Sequence, residues 1–409
     1  MKIYLVGGAV RDMLLGKTPH DKDYVVFGAT AEQMLGMGFQ QVGRGFPVFL
    51  HPDTKEEYAL ARKEIKTGNK HNSFKFIFTP DITEQEDVQR RDFTCNALLY
   101  DEEKQQLFED TVGGIEDIKN HILRHVNTEH FAEDPLRVLR MCRFAAKLDF
   151  IIAPETMNLA KKMVQEKMLS HLTPERVWKE FEFALEAKNF DKFILLMKKC
   201  GALQEIMPEV ADLWNVPENN EHHPEANSGS HTILVLQQSQ NLSAKVKFAL
   251  LLHDVGKTKT PPEILPKHIS HEVACLPIIT EICQRLKIPY HYRDYALMVA
   301  KNHMKLIRAG EISKATLLDF VENISNFKNK RRMIDFIMAC RADMRGRQKI
   351  IANTEITTFK NAVKRVLLNF AIQQKISASD IPNFAELKQK KDGTVFAENY
   401  RQYRLSKVI

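Results

Sequence analysis

The first 23 residues constrain this chain more than any other stretch. Ile3 to Val6 reads as a short apolar strand, Gly7-Gly8 as a turn, and Val10 to Leu15 as the start of a helix. Asp21-Lys22-Asp23 then opens a second strand that runs on through Tyr24-Val25-Val26. In a strand, residues i and i+2 point to one face, about 6.6 Å apart at a rise of about 3.3 Å per residue. The pattern therefore predicts that Asp21 and Asp23 project together. Two such carboxylates can hold a pair of Mg²⁺ ions about 3.5–4 Å apart, one activating an attacking hydroxyl and the other carrying a triphosphate and its leaving group. Gly8 lets backbone N–H groups approach an anion at the positive end of the helix, and Arg11 adds a fixed charge. The run matches neither the Gly-Lys-Ser/Thr ending of a P-loop nor Gly-x-Gly-x-x-Gly, so those readings lose their main support. A lone Asp-x-Asp is well explained by solvated turn acids, and it is the Gly-Gly-Ala-Val-Arg-Asp run upstream that reverses the balance.

Two further clusters extend the pattern. Arg90-Arg91-Asp92-Phe93-Thr94-Cys95-Asn96-Ala97-Leu98 reads as a charged group ahead of an apolar helical stretch. Asp92 suits a helix cap there, while Arg91 suits a contact to triphosphate or sugar with Asn96 ordering the site. In Glu133-Asp134-Pro135-Leu136-Arg137-Val138-Leu139-Arg140, Asp134 and Pro135 look like an N-cap and a first-turn proline. Arg137 and Arg140 then follow at i+3 and i+6, on nearly one face with Asp134. Capping explains Asp134 by itself. A carboxylate beside a guanidinium also offers an acceptor next to donors, and cytosine and adenine both present an amino donor beside a ring-nitrogen acceptor. Uracil and guanine present the reverse order, so the pair could accept C and A without a template.

The second half carries a different pattern. His231, His253-Asp254, His268 and His271, His303 and Asp343 follow in the order H…HD…H…H…D. Adjacent His and Asp on an apolar helix over Val246 to Val255 are odd in a core, and a metal is the economical partner for both. The structural alternative is a satisfied histidine at a helix C-terminus before Gly256. His222-His223 lies in a Pro/Asn-rich stretch and reads as loop.

Gly-Gly-Ala-Val-Arg-Asp, Asp-Lys-Asp, Arg-Arg-Asp-Phe-Thr-x-Asn-Ala and Glu-Asp-Pro-Leu-Arg-Val-Leu-Arg, in this order, resemble the class II tRNA nucleotidyltransferases, the CCA-adding enzymes. Asp110-Thr-Val-Gly113-Gly114 and Leu172-Thr-Pro-Glu-Arg-Val-Trp-Lys-Glu180 add to the likeness, and residues 231–343 resemble the HD phosphohydrolase superfamily. Together these point to the bacterial, multifunctional kind with a C-terminal HD domain.

The resemblance implies Mg²⁺ on the catalytic Asp21 and Asp23. Gly8, Arg11 and Arg91 would lie on phosphates and sugar, Asp134 and Arg137 would read the base, and Arg140 would support them. CTP, ATP and the acceptor end of tRNA are the implied partners, with no DNA and no membrane, for a monomer or homodimer. The HD centre would use His253 and Asp254 catalytically, with His231, His253, Asp254, His271, His303 and Asp343 as ligands; His271 is favoured over His268. It would open 2′,3′-cyclic phosphates and remove 2′ phosphates with Ni²⁺ or another divalent transition metal. In the family a loop corresponding to Lys63–Pro80 helps switch from CTP to ATP, and Glu64 could add a third carboxylate. A bacterial poly(A) polymerase shares the head motifs but resembles chains without the HD ligands. An HD phosphohydrolase with a degenerate head would not need Asp21, Asp23, Arg137 and Arg140.

Composition fits this reading without producing it. The chain has 409 residues, 44% hydrophobic and 27% charged, enough for two to four domains. Residues 327–409 hold 18 Lys/Arg and 7 Asp/Glu, a surplus of +11 that leaves −4 for the rest against a total of +7. Such a basic tail suits an RNA-facing surface, and also solvated lysine-rich helices. Six cysteines without a Cys-x-x-Cys pair suit a reducing cytoplasm. There is no apolar run near the about 18 residues of a membrane span, and the N-terminus does not read as a signal peptide. Strand-like segments at Lys2–Val6, Asp23–Phe27, Val48–Leu50, Glu57–Ala61 and Gln106–Glu109 stop before Gly114. The expected fold is α+β. A mixed α/β, polymerase beta-like nucleotidyltransferase head over 1–121 precedes an all-α neck and body over 122–215, an HD domain over 216–330 and a basic helical tail over 331–409. The Val216–Gly229 stretch reads as the clearest linker.

Overall fold

A computed structural model describes residues 1–19, 21–42, 48–66, 74–218, 226–347, 352–382, 384–389 and 393–409. They form two compact units: Met1–Ala184 with Lys192–Ile206, and Leu185–Asp191 with Met207–Ile409. A mixed sheet at the start of the first unit and helices elsewhere make this the expected α+β fold.

The sheet is built from β1 (Lys2–Val6), β2 (Asp23–Phe27), β3 (Gln40–Val42), β4 (Val48–Leu50), β5 (Glu57–Leu60), β8 (Leu99–Asp101) and β9 (Gln106–Leu107), in the order β3-β4-β5-β2-β1-β8-β9. Between them, β6 (Lys63–Lys66) and β7 (Phe74–Ile77) form a separate antiparallel pair. The segment 63–80, expected as a loop, thus contains two short strands, and residues 67–73 lie outside those described. Among the pairings, β2 and β5 run parallel, with Asp23 opposite Glu57, while β1 runs antiparallel to β2, with Val6 opposite Asp23. Tyr4, Val6, Val25, Phe27, Ala61 and Leu99 bury one face of this sheet. Leu5, Tyr24 and Val26 are buried as well, so both faces of the central strands are covered. Asp23 lies at the end of that apolar face, where the alternation of β2 reaches solvent.

Helices α1 (Gly8–Leu14), α2 (Ala31–Gly36), α3 (Glu84–Gln89) and α4 (Gly114–Lys119) complete the head. Gly7, at φ +68°, makes the turn into α1 that a residue with a side chain rarely adopts. Beyond the head come α5 (Thr128–Glu133), α6 (Leu136–Leu148), α7 (Pro154–Gln165), α8 (Pro174–Glu186), α9 (Phe190–Cys200), α10 (Ala202–Ile206) and α11 (Pro208–Ala211). Helix α8 starts at the proline after Thr173 and buries Val177, Phe181 and Leu185 at helical spacing, as expected.

The second unit contains α12 (Ser228–Gln238), α13 (Ala244–Leu252), α14 (His271–Arg285), α15 (Tyr290–Ile307), α16 (Lys314–Ser325) and α17 (Lys330–Arg345), followed by α18 (Asn353–Lys375), α19 (Phe384–Gln389) and α20 (Gly393–Ser406). Helix α13 is buried around nearly its whole circumference. Several cations of the basic tail are engaged inside this unit: buried Arg404 donates to the Gln373 carbonyl at 2.9 Å, and Arg401 pairs with Asp319 at 2.6 Å.

Three local expectations need correction. Asp21 and Lys22 precede β2, which begins at Asp23, so the two aspartates are not i and i+2 of one strand. Arg91-Asp92 leads into a single 3₁₀ turn, Thr94–Asn96, and then β8, not into a longer helix. Helix α13 ends at Leu252, which leaves His253 as its C-cap and Asp254 in the turn before a 3₁₀ segment, Val255–Lys259.

Candidate functional site

In the first unit, charge concentrates around the end of β2. Although Asp23 reaches solvent, partial loss of water around its carboxyl raises it above its ordinary 3.8, the charges of Glu57 and Asp21 raise it further, and Arg91 opposes them. Three carboxylates thus act on one another at this point, and the β2–β5 register sets Glu57 beside Asp23. Glu57 is the member that sequence reasoning missed. It arrives through the parallel β2–β5 register, which a single chain does not reveal; Glu64, considered in its place, lies on β6.

The guanidiniums around these acids are anchored. Arg11 is buried and donates from Nη1 to Asn96 Oδ1 at 2.7 Å and from Nη2 to Asp12 at 2.7 Å. A Cβ on Gly8 would lie 3.2 Å from Arg11 Nη2, so glycine keeps room for that side chain. Asp87, fully buried, accepts from Arg90 through Oδ1 and from Arg91 Nη2 through Oδ2 at 2.8 Å. Asp92 caps nothing helical: its Oδ1 accepts from the Phe93 amide at 2.9 Å and its Oδ2 from Arg140.

Asp134 and Arg137 sit where α5 gives way to α6. Asp134 Oδ1 accepts from the Leu136 amide at 3.0 Å, so it does cap α6, with Pro135 standing between it and the helix. Its Oδ2 accepts from Arg176 at 2.7 Å. Arg137 donates to the His130 carbonyl at 2.5 Å and to the Arg90 carbonyl at 2.7 Å, which fixes the plane of its guanidinium. The spacing Arg137, Arg140 continues to Arg143, whose Nε donates to Glu180 at 2.5 Å. Arg11, Arg140 and Arg143 all approach the Phe144 ring, the last at 4.1 Å. Arg176 and Glu180 fall inside the Leu172–Glu180 block without a role of their own in the sequence; opposite charges at i, i+4 read there as a surface pair, whereas α8 turns Arg176 to Asp134 and Glu180 to Arg143.

The second unit gathers His231 from α12, His253 and Asp254 from the end of α13, His271 from α14, His303 from α15 and Asp343 from α17. All are buried. Their donor atoms form two groups, His231/His253/Asp343 and Asp254/His271/His303, each within 4.8 Å. Asp254 stands between them: Oδ2 is 3.2 Å from His253 Nε2, and Oδ1 is 3.3 Å from His271 Nε2 and 3.7 Å from His303 Nε2. The ring nitrogens turned away from the cluster are held by backbone, His253 Nδ1 on Leu250 O at 2.7 Å and His303 Nδ1 on Ala300 O at 2.8 Å. This leaves Nε2 facing inward. His268 bonds Thr260 through Nδ1 and the Pro217 carbonyl through Nε2, so both of its nitrogens are engaged. His222 and His223 lie outside the described residues.

The cluster fits a metal. Buried His253 Nε2 has no hydrogen-bond partner among the described residues. Burial disfavours a charged His253, yet Asp254 and Asp343 outweigh it and push the imidazole up to about 10, the mark of a site short of positive charge. Burial drives His303 down to about 4, which keeps it neutral with a lone pair to give. The imidazole-rich set matches a transition metal better than Mg²⁺.

Comparison with known proteins shows a 46% identical relative, the multifunctional CCA protein of Vibrio vulnificus (strain YJ016), aligned over 85% of this chain and 86% of that protein. The chain belongs to the multifunctional CCA protein family. A second family member, from Acinetobacter baumannii (strain ATCC 17978), is 46% identical over 85% of both chains. Family models match as a poly A polymerase head domain over residues 3–124, a probable RNA and SrmB-binding site of polymerase A over 149–213, and an HD domain over 229–335. The fold resembles the Thermotoga maritima CCA-adding enzyme solved in complex with tRNA, with a TM-score of 0.64 at 20% identity over 99% of this chain and 87% of that one. Like its family, this chain is a nucleotidyltransferase that also carries an HD domain. No described helix is long and apolar enough to cross a membrane.

Proposed function

We propose that the chain adds CCA to the 3′ end of tRNA from CTP and ATP without a template, and that its HD centre hydrolyses 2′,3′-cyclic and 2′-linked phosphates during tRNA maturation and repair in the cytoplasm. The observation that carries the first activity is the parallel register that sets Glu57 opposite Asp23, two residues after Asp21, with Arg91 held on buried Asp87 and its charge acting on Asp23. Mg²⁺ ions held by Asp21 and Asp23 would supply Lewis-acid chemistry, making the 3′-hydroxyl a better nucleophile and neutralising charge on the triphosphate. The 3′ hydroxyl gives up its proton to solvent, its oxygen forms a bond to the α-phosphorus, the bond to the α,β-bridging oxygen breaks, and pyrophosphate leaves with that oxygen. Arg91 and Arg11, with the Gly8 turn, bind the phosphates and sugar. Asp134 and Arg137 read the base, and their partners support this role: Arg176 and two backbone carbonyls keep carboxylate and guanidinium rigid. Arg140, fixed on Asp92, braces the same helix.

In the HD centre, His231, His253, Asp254, His271, His303 and Asp343 would hold Ni²⁺ or another divalent transition metal, which supplies an activated water and polarises the phosphoryl oxygens. Neutral His303 and the charged Asp254 and Asp343 would be in the protonation states that metal ligands need. The domain limits 1–121, 122–215, 216–330 and 331–409 belong to this proposal, as does action as a monomer or homodimer.

The test is incubation with Mg²⁺, a tRNA transcript lacking its last three nucleotides, and labelled CTP, ATP, UTP or GTP, with products sized on a gel. Two additions with CTP, one more only with ATP, and a firm stop support the proposal. Unlimited A addition marks a poly(A) polymerase instead, and no addition leaves the HD centre as the working enzyme.

A further inference from the structure

Glu218 falls in the stretch that reads as a linker, ahead of the residues matched by the HD model, yet it is only 6% exposed. Its Oε1 accepts from Lys257 Nζ at 2.6 Å and from Ser228 Oγ at 2.6 Å. The same Lys257 Nζ lies 2.9 Å from Asp254 Oδ2. The segment is held in place by backbone: Glu218 N donates to Ala226 O at 3.2 Å, and Ser228 N to Val216 O at 3.0 Å. Its neighbour Pro217 accepts from His268 Nε2 at 3.0 Å, and His268 O accepts in turn from His271 Nδ1 at 2.8 Å. The short run 217–218 thus reaches two residues of the metal cluster, Asp254 by way of Lys257 and His271 by way of His268.

We infer that Glu218 is a positioning residue of the HD centre, acting through Lys257. This role rests on metal binding by His231, His253, Asp254, His271, His303 and Asp343. A lysine ammonium next to a ligand carboxylate competes with a dication for that carboxylate. Glu218 offsets the competition. It supplies a second acid for Lys257, so that the ammonium is shared rather than centred on Asp254, and it fixes Nζ on Oδ2 while Oδ1 faces His271 and His303. The centre then presents three carboxylates, Asp254, Asp343 and Glu218, against one ammonium, an excess suited to a divalent cation. With Glu218 neutral, Asp254 becomes the sole counter-charge of a buried lysine and binds metal less well. Partners of this outer kind typically change metal affinity about 10- to 100-fold.

The test is competition for Ni²⁺ between a chromophoric chelator and the full-length, metal-stripped protein. Wild type is compared with Glu218→Gln, Lys257→Met, their double variant and His253→Ala, and folding of each is followed by circular dichroism. The expected result is affinity about 10- to 100-fold weaker in Glu218→Gln, with no further loss when the same change is made on Lys257→Met. An unchanged affinity in folded Glu218→Gln, with binding lost in His253→Ala, overturns the inference and leaves the metal centre standing. An equal loss in the Lys257→Met background overturns the route through Lys257. If His253→Ala binds Ni²⁺ as wild type does, the metal centre itself is wrong and the inference falls with it. Should Glu218→Gln not fold, Glu218→Asp keeps the charge one methylene short of Lys257 and is expected to weaken Ni²⁺ binding in the same direction.

Discussion

Arg140 donates from Nε and Nη2 to a single oxygen of Asp92, at 2.8 and 2.6 Å, across 48 positions of sequence. Asp92 is buried and hangs on the loop before β8, while Arg140 is on α6, so the pair fastens the head's catalytic end to the helix that carries Arg137. Arg140→Ala leaves a buried carboxylate without its main counter-charge. The expected cost is about 3 kcal/mol of stability, read as a lower urea midpoint at an unchanged slope, together with loss of CTP incorporation.

Acid should unlock the same region. Burial alone would raise the Asp87 and Asp92 carboxyls, but Arg91 and Arg90 on the first, and Arg140 on the second, outweigh it and hold both below the ordinary 3.8. A depressed folded value means that the stabilisation is complete above the unfolded value. It is lost as pH falls from there through the folded value. Urea midpoints of the first unit are therefore expected to hold at about pH 5 and to drop steeply below about pH 4, and Asp92→Asn should flatten that drop.

Glu57→Gln tests the third acid. Removing its charge lets the Asp23 carboxyl fall back toward its ordinary value and takes one negative charge from the place where Mg²⁺ would bind. A Mg²⁺ titration of CTP incorporation should shift to about tenfold higher metal, with saturating turnover reduced less than in Asp23→Asn. An unchanged Mg²⁺ requirement would remove Glu57 from the site.

Gly256 separates the metal-binding turn from α14. A Cβ there would lie within 2.6 Å of Cys275 N and closer still to the His271 carbonyl, so backbone must move. Gly256→Ala is expected to destabilise the second unit by about 1–3 kcal/mol and to weaken Ni²⁺ binding, since His271 opens α14. Gly310→Ala, where nothing lies within 4 Å of the new methyl, is the matched control and should do neither.

What could be read from the chain followed how strongly each element was marked. Strands β1 and β2 are buried on both faces, so their β-branched and aromatic runs stand out, and only the entry to β2, where Asp21 and Lys22 stay outside the strand, differs from the pattern. The short strand β3, Gln40–Val42, is largely exposed and has no apolar alternation to announce it. Ala97-Leu98-Leu99 is an apolar run without a period of its own, which is why β8 passed for helix. Helix α13 is buried nearly all round and runs apolar from Phe248 to Leu252, so nothing in its pattern marks Leu252 as its last residue or puts His253-Asp254 in a turn. Candidates came mainly from local motifs. Glu57 and Glu218 belong to none: the first depends on strand register and the second on a loop folding back onto Lys257, and both are tertiary facts.

The pairing of Asp23 with Glu57 has a consequence for synthesis. Because β2 and β5 are parallel, their contact waits for the whole crossover between them, including β3 and β4. A ribosome-bound chain that has emerged only as far as β4 carries both aspartates of the opening motif but not the acid that crowds them, so its affinity for a divalent ion should be that of an ordinary acidic turn. Nascent chains released at successive lengths would therefore gain the crowded carboxylates only after Leu60 has cleared the exit tunnel, and not as the motif itself is translated.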